Sequence, residues 1–432
     1  MGCKVGSFAI PSSSTFNITG LGFQPRWVLF LTCNTTPGEA DTWTGRPSAG
    51  IGMAAMQNTT IDDSGATVRN AQVSEVWYNS NVGGSFLGDL ISWIRDNGLT
   101  GENFAMYVPS LNPDGFTVAF AGGGFNVNAV GKVVYYLAGD GSYEEVASSL
   151  AFVPGTPSYE LGFEPFAMFG IGAGGDVAPF GNTQSMSFLD ISIPSVCGGY
   201  FDDGDFPVFA AQWRGIIDPN IDVQEWWGSD EGGDVTILEE TQGGGVQFST
   251  MFSASKTDTA IVPSFNSAGF SLGHVRMAPI MFGKVACVTG SFVPSTTTGV
   301  WTEVALPFEP EAVVFFSVQD DKAGVGNTSV YGATVWGFCT DEDQAVLGYG
   351  GFWNPPIAQT SAQFHSSDLA WIGNCIETGA IGSVVSAGEA RCTPNGFEHK
   401  TNYHNASVMY PVLYWAIAPV VEVPGFFRRY GG

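Results

Sequence analysis

Charge is scarce in this 432-residue chain: Asp, Glu, Lys and Arg together make up 13% of it, about half the roughly 25% usual in soluble domains. Basic residues are scarcest, with 15 Lys and Arg against 41 Asp and Glu and a formal net charge of −26. Affinity for DNA or RNA comes largely from Lys and Arg neutralising phosphates. Arg428-Arg429 is the one basic cluster, so no nucleic-acid partner is expected. No apolar run approaches the ~18 residues of a membrane span, which argues against membrane insertion. Histidine is limited to His274, His365, His399 and His404. None falls in a His-Glu-x-x-His pattern, and His399 and His404 read as ordinary surface or turn histidines. "HSSDL" around His365 places Ser and Asp nearby, but no nucleophile elbow accompanies it and a triad is a matter of geometry. The seven cysteines are an odd number in no Cys-x-x-Cys pattern, so buried free thiols are expected rather than a disulfide framework. Long helical periodicity is missing too.

What remains is apolar, aromatic and rich in glycine. Hydrophobic residues make up 44% and aromatics 13%, enough for several packed interiors. Glycine counts 58, nearly twice the usual ~7%, which suits short strands joined by tight turns. With so little charge, the surface has to be built largely from Gly, Ser, Thr and Asn. The length calls for two to four domains. The opening "MGCKVGSFAIP" has no apolar segment of the export type, and the expectation is a chain made in a reducing cytoplasm.

The chain echoes itself. "LGFQPRWVLFLT" at 21–32 returns as "LGFEPFAMFGIG" at 161–172 and "LPFEPEAVVFFS" at 306–317. The Phe-x-Pro prolines, Pro25, Pro165 and Pro310, are spaced by 140 and 145 residues. A second proline precedes each (Pro11, Pro154, Pro294), and a Gly-Phe turn follows each (Gly115, Gly269, Gly396). Each unit then closes on an aromatic or apolar strand, "GKVVYYLAG", "GKVACVTG" or "PVLYWAIAP". Order and spacing define a threefold tandem repeat, with units at 1–142, 143–289 and 290–432. The second carries an acidic, Gly-rich insertion near 228–245, a candidate loop.

Within each unit the text is β throughout. Apolar runs of 5–8 residues, rich in Val, Phe, Tyr and Trp, are bounded by Gly, Pro, Asn and Asp. "DGFTVAF" alternates with period two, while "PDG" and "PNG" are turn chemistry. A short helix fits near 85–95. Units of this size with seven to nine strands point to antiparallel β-sandwiches or jelly rolls. Junctions without flexible linkers imply rigid packing between units.

Candidate site residues are few. Trp226 and Trp227 beside the insertion, Trp93 and Trp371 are aromatic candidates for stacking on a glycan or a partner. Core or interface packing is the competing reading for any such tryptophan. Asp202, Asp203 and Asp205 in "DDGD", and "DED" at 341–343, offer oxygen ligands of the kind Ca²⁺ takes. Neither matches the twelve-residue calcium loop, and both read equally as solvated turn acids. "GAGGD" and "AGGGF" lack the Gly-Lys-Ser/Thr ending of a phosphate loop. No catalytic residue is assigned and no cofactor is required.

The run Phe-x-Pro-x-x-Val-hydrophobic, then Pro-Asp-Gly-Phe-Thr-Val, then Val-x-Tyr-x-Ala resembles modules of tailed-bacteriophage virion proteins. It is also similar to the strand text of H-type lectin-like sandwiches. The third unit has "PNGFEH" in place of "DGFTV", and the second has "KVACVTG" without the tyrosines. The resemblance implies a non-enzymatic structural protein of the virion: tail fibre, tail tip, head decoration or head fibre. Its implied partners are copies of itself, other virion proteins and host-surface glycan. The alternatives it leaves open are a carbohydrate-binding adhesin and a glycan-degrading tailspike.

Overall fold

The computed structural model describes residues 2–33, 48–55, 73–78, 82–87, 92–96, 102–120, 130–140, 142–143, 145–148, 157–174, 193–200, 208–215, 224–229, 235–241, 245–267, 275–318, 327–328, 331–354, 357–377, 380–405 and 411–420. These residues form antiparallel strands and no helix, as the sequence leads one to expect. The first unit contains β1 (Cys3–Ala9), β2 (Thr15–Thr19), β3 (Trp27–Cys33), β4 (Ser48–Ala55), β5 (Val73–Tyr78), β6 (Val82–Leu87), β7 (Ser92–Asp96), β8 (Glu102–Asn112), β9 (Gly115–Phe120) and β10 (Val133–Gly139). The second contains β11 (Val146–Ser148), β12 (Tyr159–Glu160), β13 (Ala167–Gly174), β14 (Ile193–Tyr200), β15 (Val208–Gly215), β16 (Gln224–Ser229), β17 (Val235–Thr241), β18 (Gly245–Lys256), β19 (Ala260–Ser267) and β20 (Val275–Phe282). The third contains β21 (Val285–Phe292), β22 (Trp301–Ala305), β23 (Ala312–Val318), β24 (Asn327–Thr328), β25 (Tyr331–Cys339), β26 (Gln344–Asn354), β27 (Ile357–Ser366), β28 (Trp371–Glu377), β29 (Ala380–Thr393), β30 (Gly396–His404) and β31 (Val412–Pro419).

Six sheets result, in three pairs. The first pair has the orders β1-β10-β3-β4-β5-β6 and β2-β9-β8-β7. The second has β11-β20-β13-β14-β15-β16 and β12-β19-β18-β17, and the third β21-β31-β23-β25-β26-β27 and β22-β30-β29-β28. Strand order is the same in all three. The second six-stranded sheet takes one more strand from the third unit, β24, which pairs with β16.

The long apolar runs follow from where the six-stranded sheets lie. On β3, Trp27, Leu29 and Leu31 enter one apolar interior, while Val28 and Phe30 enter another with Phe116 and Val118 of the opposing four-stranded sheet. β10 divides in the same way: Val133, Tyr135 and Leu137 on one face, Val134, Tyr136 and Ala138 on the other. A strand buried on both faces has no reason to alternate with polar residues, so its text is continuously hydrophobic. The second of these interiors is the filling of a β-sandwich.

The first interior is common to all three units. It gathers Trp27, Leu29 and Tyr135 from the first, Ala167, Phe169, Ile280 and Phe282 from the second, and Val314, Phe316, Trp336 and Trp415 from the third. Aromatic rings tie them together. Trp27 meets Phe282 edge-on at 5.6 Å, Phe282 meets Trp415 at 5.7 Å, and Phe169 meets Trp415 at 5.6 Å and Phe316 at 6.1 Å. Each large side chain so buried contributes about 1.5–3 kcal/mol relative to exposure. The three six-stranded sheets thus pack inward on one core, and the four-stranded sheets form the outer layers.

Four sequence readings change. The short helix expected near 85–95 is absent from the described residues there, where β6 ends at Leu87 and β7 begins at Ser92. Residues 228–245 are not a looped insertion, because β17 lies within them and pairs with β18; it occupies the sheet position of β7 and β28. Gly269 lies outside the described residues, and the hairpin that corresponds to Gly115 and Gly396 is instead the β18–β19 turn. There Thr257 Oγ1 accepts the N–H groups of Thr259 and Ala260 at 3.3 and 2.9 Å. That hydroxyl-capped turn needs no glycine, whereas Gly115 and Gly396 stand at φ of 148° and 138°. Finally, β21 pairs with β31 of the third sheet, so the chain leaves the second unit at Gly283-Lys284 rather than at 289.

Candidate functional site

The residues singled out from sequence do not converge. Trp226 and Trp227 lie on β16, a strand held between β15 and β24 rather than a loop. In register, Trp226 stands opposite Trp213 and Asn327, and Trp227 opposite Gln212. Trp93 is on β7 opposite Ala105, in another sheet. Trp371 opens β28, and its side chain is fully buried in the third sandwich, with Phe292 at 6.0 Å and His399 at 6.2 Å. Its Nε1–H donates to the Glu389 carbonyl at 3.2 Å. Trp371 is therefore a core residue, with no face open to a sugar. Asp202, Asp203 and Asp205 lie outside the described residues. The "DED" acids occupy the turn between β25 and β26, where the Asp343 N–H bonds Thr340 Oγ1 at 3.1 Å. No group of three or more His, Cys, Asp or Glu that would hold a metal ion occurs among the described residues.

Two histidines are buried, and His399 is one expected at the surface or in a turn. His365, on β27, shares a 2.7 Å hydrogen bond with the Tyr135 hydroxyl, so the third unit bonds to the first across the common interior. His399, on β30, stacks on Phe292 with ring centroids 4.1 Å apart. Burial pushes its pKa down to about 4, because a charged imidazole there loses its water. Both histidines were displaced inward by tertiary packing, which their local sequence does not encode.

A second polar contact joins the units near the chain start. The hydroxyl of Tyr143 lies 3.3 Å from Cys3 Sγ, a contact between the second unit and the first. Burial raises the Glu311 pKa, Asp140 adds to the rise, and Tyr143 opposes it. Burial likewise raises both the Tyr143 hydroxyl and the Cys3 thiol well above their ordinary values. Tyr143 and Cys3 are thus protonated anchors between units, ill suited to act as nucleophiles.

Among the described residues, an extended surface arrangement sits on the outer sheet of the third unit. Trp301 on β22 is half-buried, with the Arg391 guanidinium 4.3 Å and the Lys400 ammonium 4.8 Å from its ring centroid. Arg391 bonds Glu398 through Nε at 2.8 Å and Nη2 at 2.6 Å, and Lys400 bonds Glu389 at 3.0 Å. Burial alone would raise the Glu389 pKa, but Asn402 and Lys400 hold it below the ordinary value. The arrangement is a flat, hydrogen-bond-rich face around one indole. In the first unit the positions of Trp301, Arg391, Glu398, Lys400 and Glu389 are held by Thr15, Ser110, Thr117, Ala119 and Tyr107. There, Asn17, Thr117 and Ser110 form a neutral chain of bonds at 2.8 and 3.1 Å. The fold therefore does not require tryptophan or charge at this place. Trp301 was missed in the sequence, although "WTEVA" puts Trp301 and Glu303 on one face of a strand by simple alternation.

Comparison of the chain with protein-family models, with curated proteins and with solved structures found no match.

Proposed function

We propose that this chain is a non-enzymatic structural component of a tailed-bacteriophage particle, on a fibre, tail tip or head surface. The observation that carries the reading is the interior shared by three sandwiches. Domains that merely follow one another along a chain keep separate cores and move independently. A common core instead makes one rigid block, which suits a part whose work is assembly and display. The sequence resemblance to virion modules supports the same reading, as does the recurring strand order, which we take to mark three copies of one lectin-like module. Its partners would be copies of itself and other virion proteins. Peptide mass spectrometry and negative-stain imaging of purified particles provide the test. Recovery of this chain at fixed stoichiometry supports the assignment, and a monomer absent from every particle defeats it.

A second reading, which can coexist with the first, is glycan contact at the host surface. The Trp301 face favours it, since an indole ringed by fixed carboxylate, guanidinium and amide groups is the chemistry that stacks on and hydrogen-bonds a sugar. Glycan-array binding that survives Trp226→Ala/Trp227→Ala but is lost in Trp301→Ala would place contact on this face. Binding lost only in the Trp226/Trp227 variant would move it to β16.

A further inference from the structure

Two of the buried cysteines lie side by side, although the sequence holds them 53 positions apart. Cys339 ends β25 in the inner sheet of the third sandwich, and Cys392 stands near the end of β29 in the outer sheet. The Cys392 N–H donates to the carbonyl of Thr340, the residue after Cys339, at 3.3 Å, so the two backbones approach at this point. Both side chains belong to the sandwich core with Val313, Phe315 and Phe397.

The first sandwich shows what this place needs. There Ala54 lies opposite Val28 as Cys339 lies opposite Val313. Leu111 lies opposite Phe116 as Cys392 lies opposite Phe397. Ala54 and Leu111 are both in the first sandwich core. The packing is thus satisfied by an alanine and a leucine, without sulfur. Two cysteines brought together at such a point add a capacity that packing does not explain.

We propose that Cys339 and Cys392 form a dithiol that closes to a disulfide when the chain meets an oxidising medium, stapling the inner sheet of the third sandwich to its outer sheet. A low-molecular-weight disulfide such as oxidised glutathione is a sufficient oxidant. Cys392, the more exposed of the two at 9% against 0%, attacks as thiolate, forming a mixed disulfide and releasing one glutathione thiolate. Cys339 then displaces the second glutathione, and the two protons lost by the cysteines end on the released thiols. The neighbouring Cys339 thiol, and burial after it, raise the Cys392 thiol well above its ordinary pKa. The reaction therefore runs slowly, through local opening of the sheet ends. Chain cross-linking of this kind stabilises chiefly by restricting the unfolded state. The proposal does not depend on the virion reading.

The test uses the full chain, folded and reduced, then incubated with oxidised glutathione. Digestion without reductant should yield a peptide joining Cys339 to Cys392, and the melting temperature should rise by several degrees and fall back with dithiothreitol. The variant Cys339→Ala/Cys392→Leu carries the side chains of the first sandwich and should fold without either response. Thiols at 339 and 392 that remain open to alkylation after oxidation and unfolding would overturn the proposal. So would links confined to other cysteines, or a redox-dependent melting shift that persists in the double variant.

Discussion

Phe282 and Trp415 belong to different sandwiches, and their rings meet at 5.7 Å with a 49° tilt in the interior shared by all three. Trp27, from the remaining sandwich, flanks Phe282 edge-on at 5.6 Å. Removing the Phe282 ring opens a cavity at a point that every unit lines. Phe282→Ala should lower stability by about 3–5 kcal/mol. Because the core is common, wild type and variant should each unfold in one calorimetric transition. Three resolved transitions would show that the units do not depend on this interior.

The Tyr135 hydroxyl and His365 Nδ1, 2.7 Å apart, form a buried bond between the first and third units. Tyr135→Phe keeps the ring and deletes the bond, at an expected cost of about 1–3 kcal/mol. A double-mutant cycle with His365→Phe, followed by urea denaturation, isolates the pair. A coupling of at least ~1 kcal/mol is expected for groups in direct contact, and a value near zero would remove this bond from the account of how the units adhere.

His399 makes stability depend on acid. Its folded pKa, about 4, lies below the ordinary 6.5, so between those values the unfolded chain binds a proton that the folded chain refuses. Stability is therefore complete above pH 6.5 and falls as pH drops through the window, with no further loss from this group below about 4. The limiting loss is about 3 kcal/mol. His399→Val, which installs the residue found at the register-equivalent Val118, should flatten the change in urea midpoint between pH 7 and pH 4.5. Equal slopes in both proteins would contradict the assignment.

The Asp114 carboxylate accepts the N–H groups of Gly22 at 2.7 Å and Gly20 at 3.0 Å, holding the β8–β9 turn against the segment that leads into β3. Those bonds hold its pKa below the ordinary 3.8. Their stabilising effect is thus present above that value and is lost as pH falls through the lowered one. Asp114→Ala should depress the melting temperature by a few degrees at most at pH 7, the carboxylate being fully exposed to water. At pH 2–3 the difference between variant and wild type should shrink, as followed by circular dichroism. A difference that stays constant with pH would assign the effect to turn geometry instead.

Much of this architecture is legible residue by residue. Pro25, Pro165 and Pro310 each stand two positions before a central strand, β3, β13 or β23, because proline tolerates a strand's approach but not its hydrogen-bonded interior. Gly115 and Gly396 mark hairpins because a side chain at either would strike the Ile18 or Val304 carbonyl. Gly269 misled for the same reason it attracted notice. Glycine is a common turn residue but not an obligatory one, and a threonine hydroxyl at Thr257 closes the corresponding hairpin.

The candidate site was less legible. Trp93, Trp226, Trp227 and Trp371 are candidates by residue type, yet Trp371 is core while Trp301 meets the surface cations. Exposure depends on which face of which sheet a residue occupies, and that is set by a partner strand far along the chain. Arg391 and Lys400 approach Trp301 only because β29, β30 and β22 pair in register.

By itself the sequence determined the all-β class, the Gly115 and Gly396 turns and the continuously apolar strands, since these follow from local backbone preference and hydrophobic period. Only the tertiary structure decided that the two faces of those strands serve different interiors, one private to a sandwich and one common to three. It also decided that His365 and His399 are buried and that Cys339 and Cys392 share one sandwich core. Each of these is a meeting of distant segments, and period-two alternation records that a face is covered without recording what covers it.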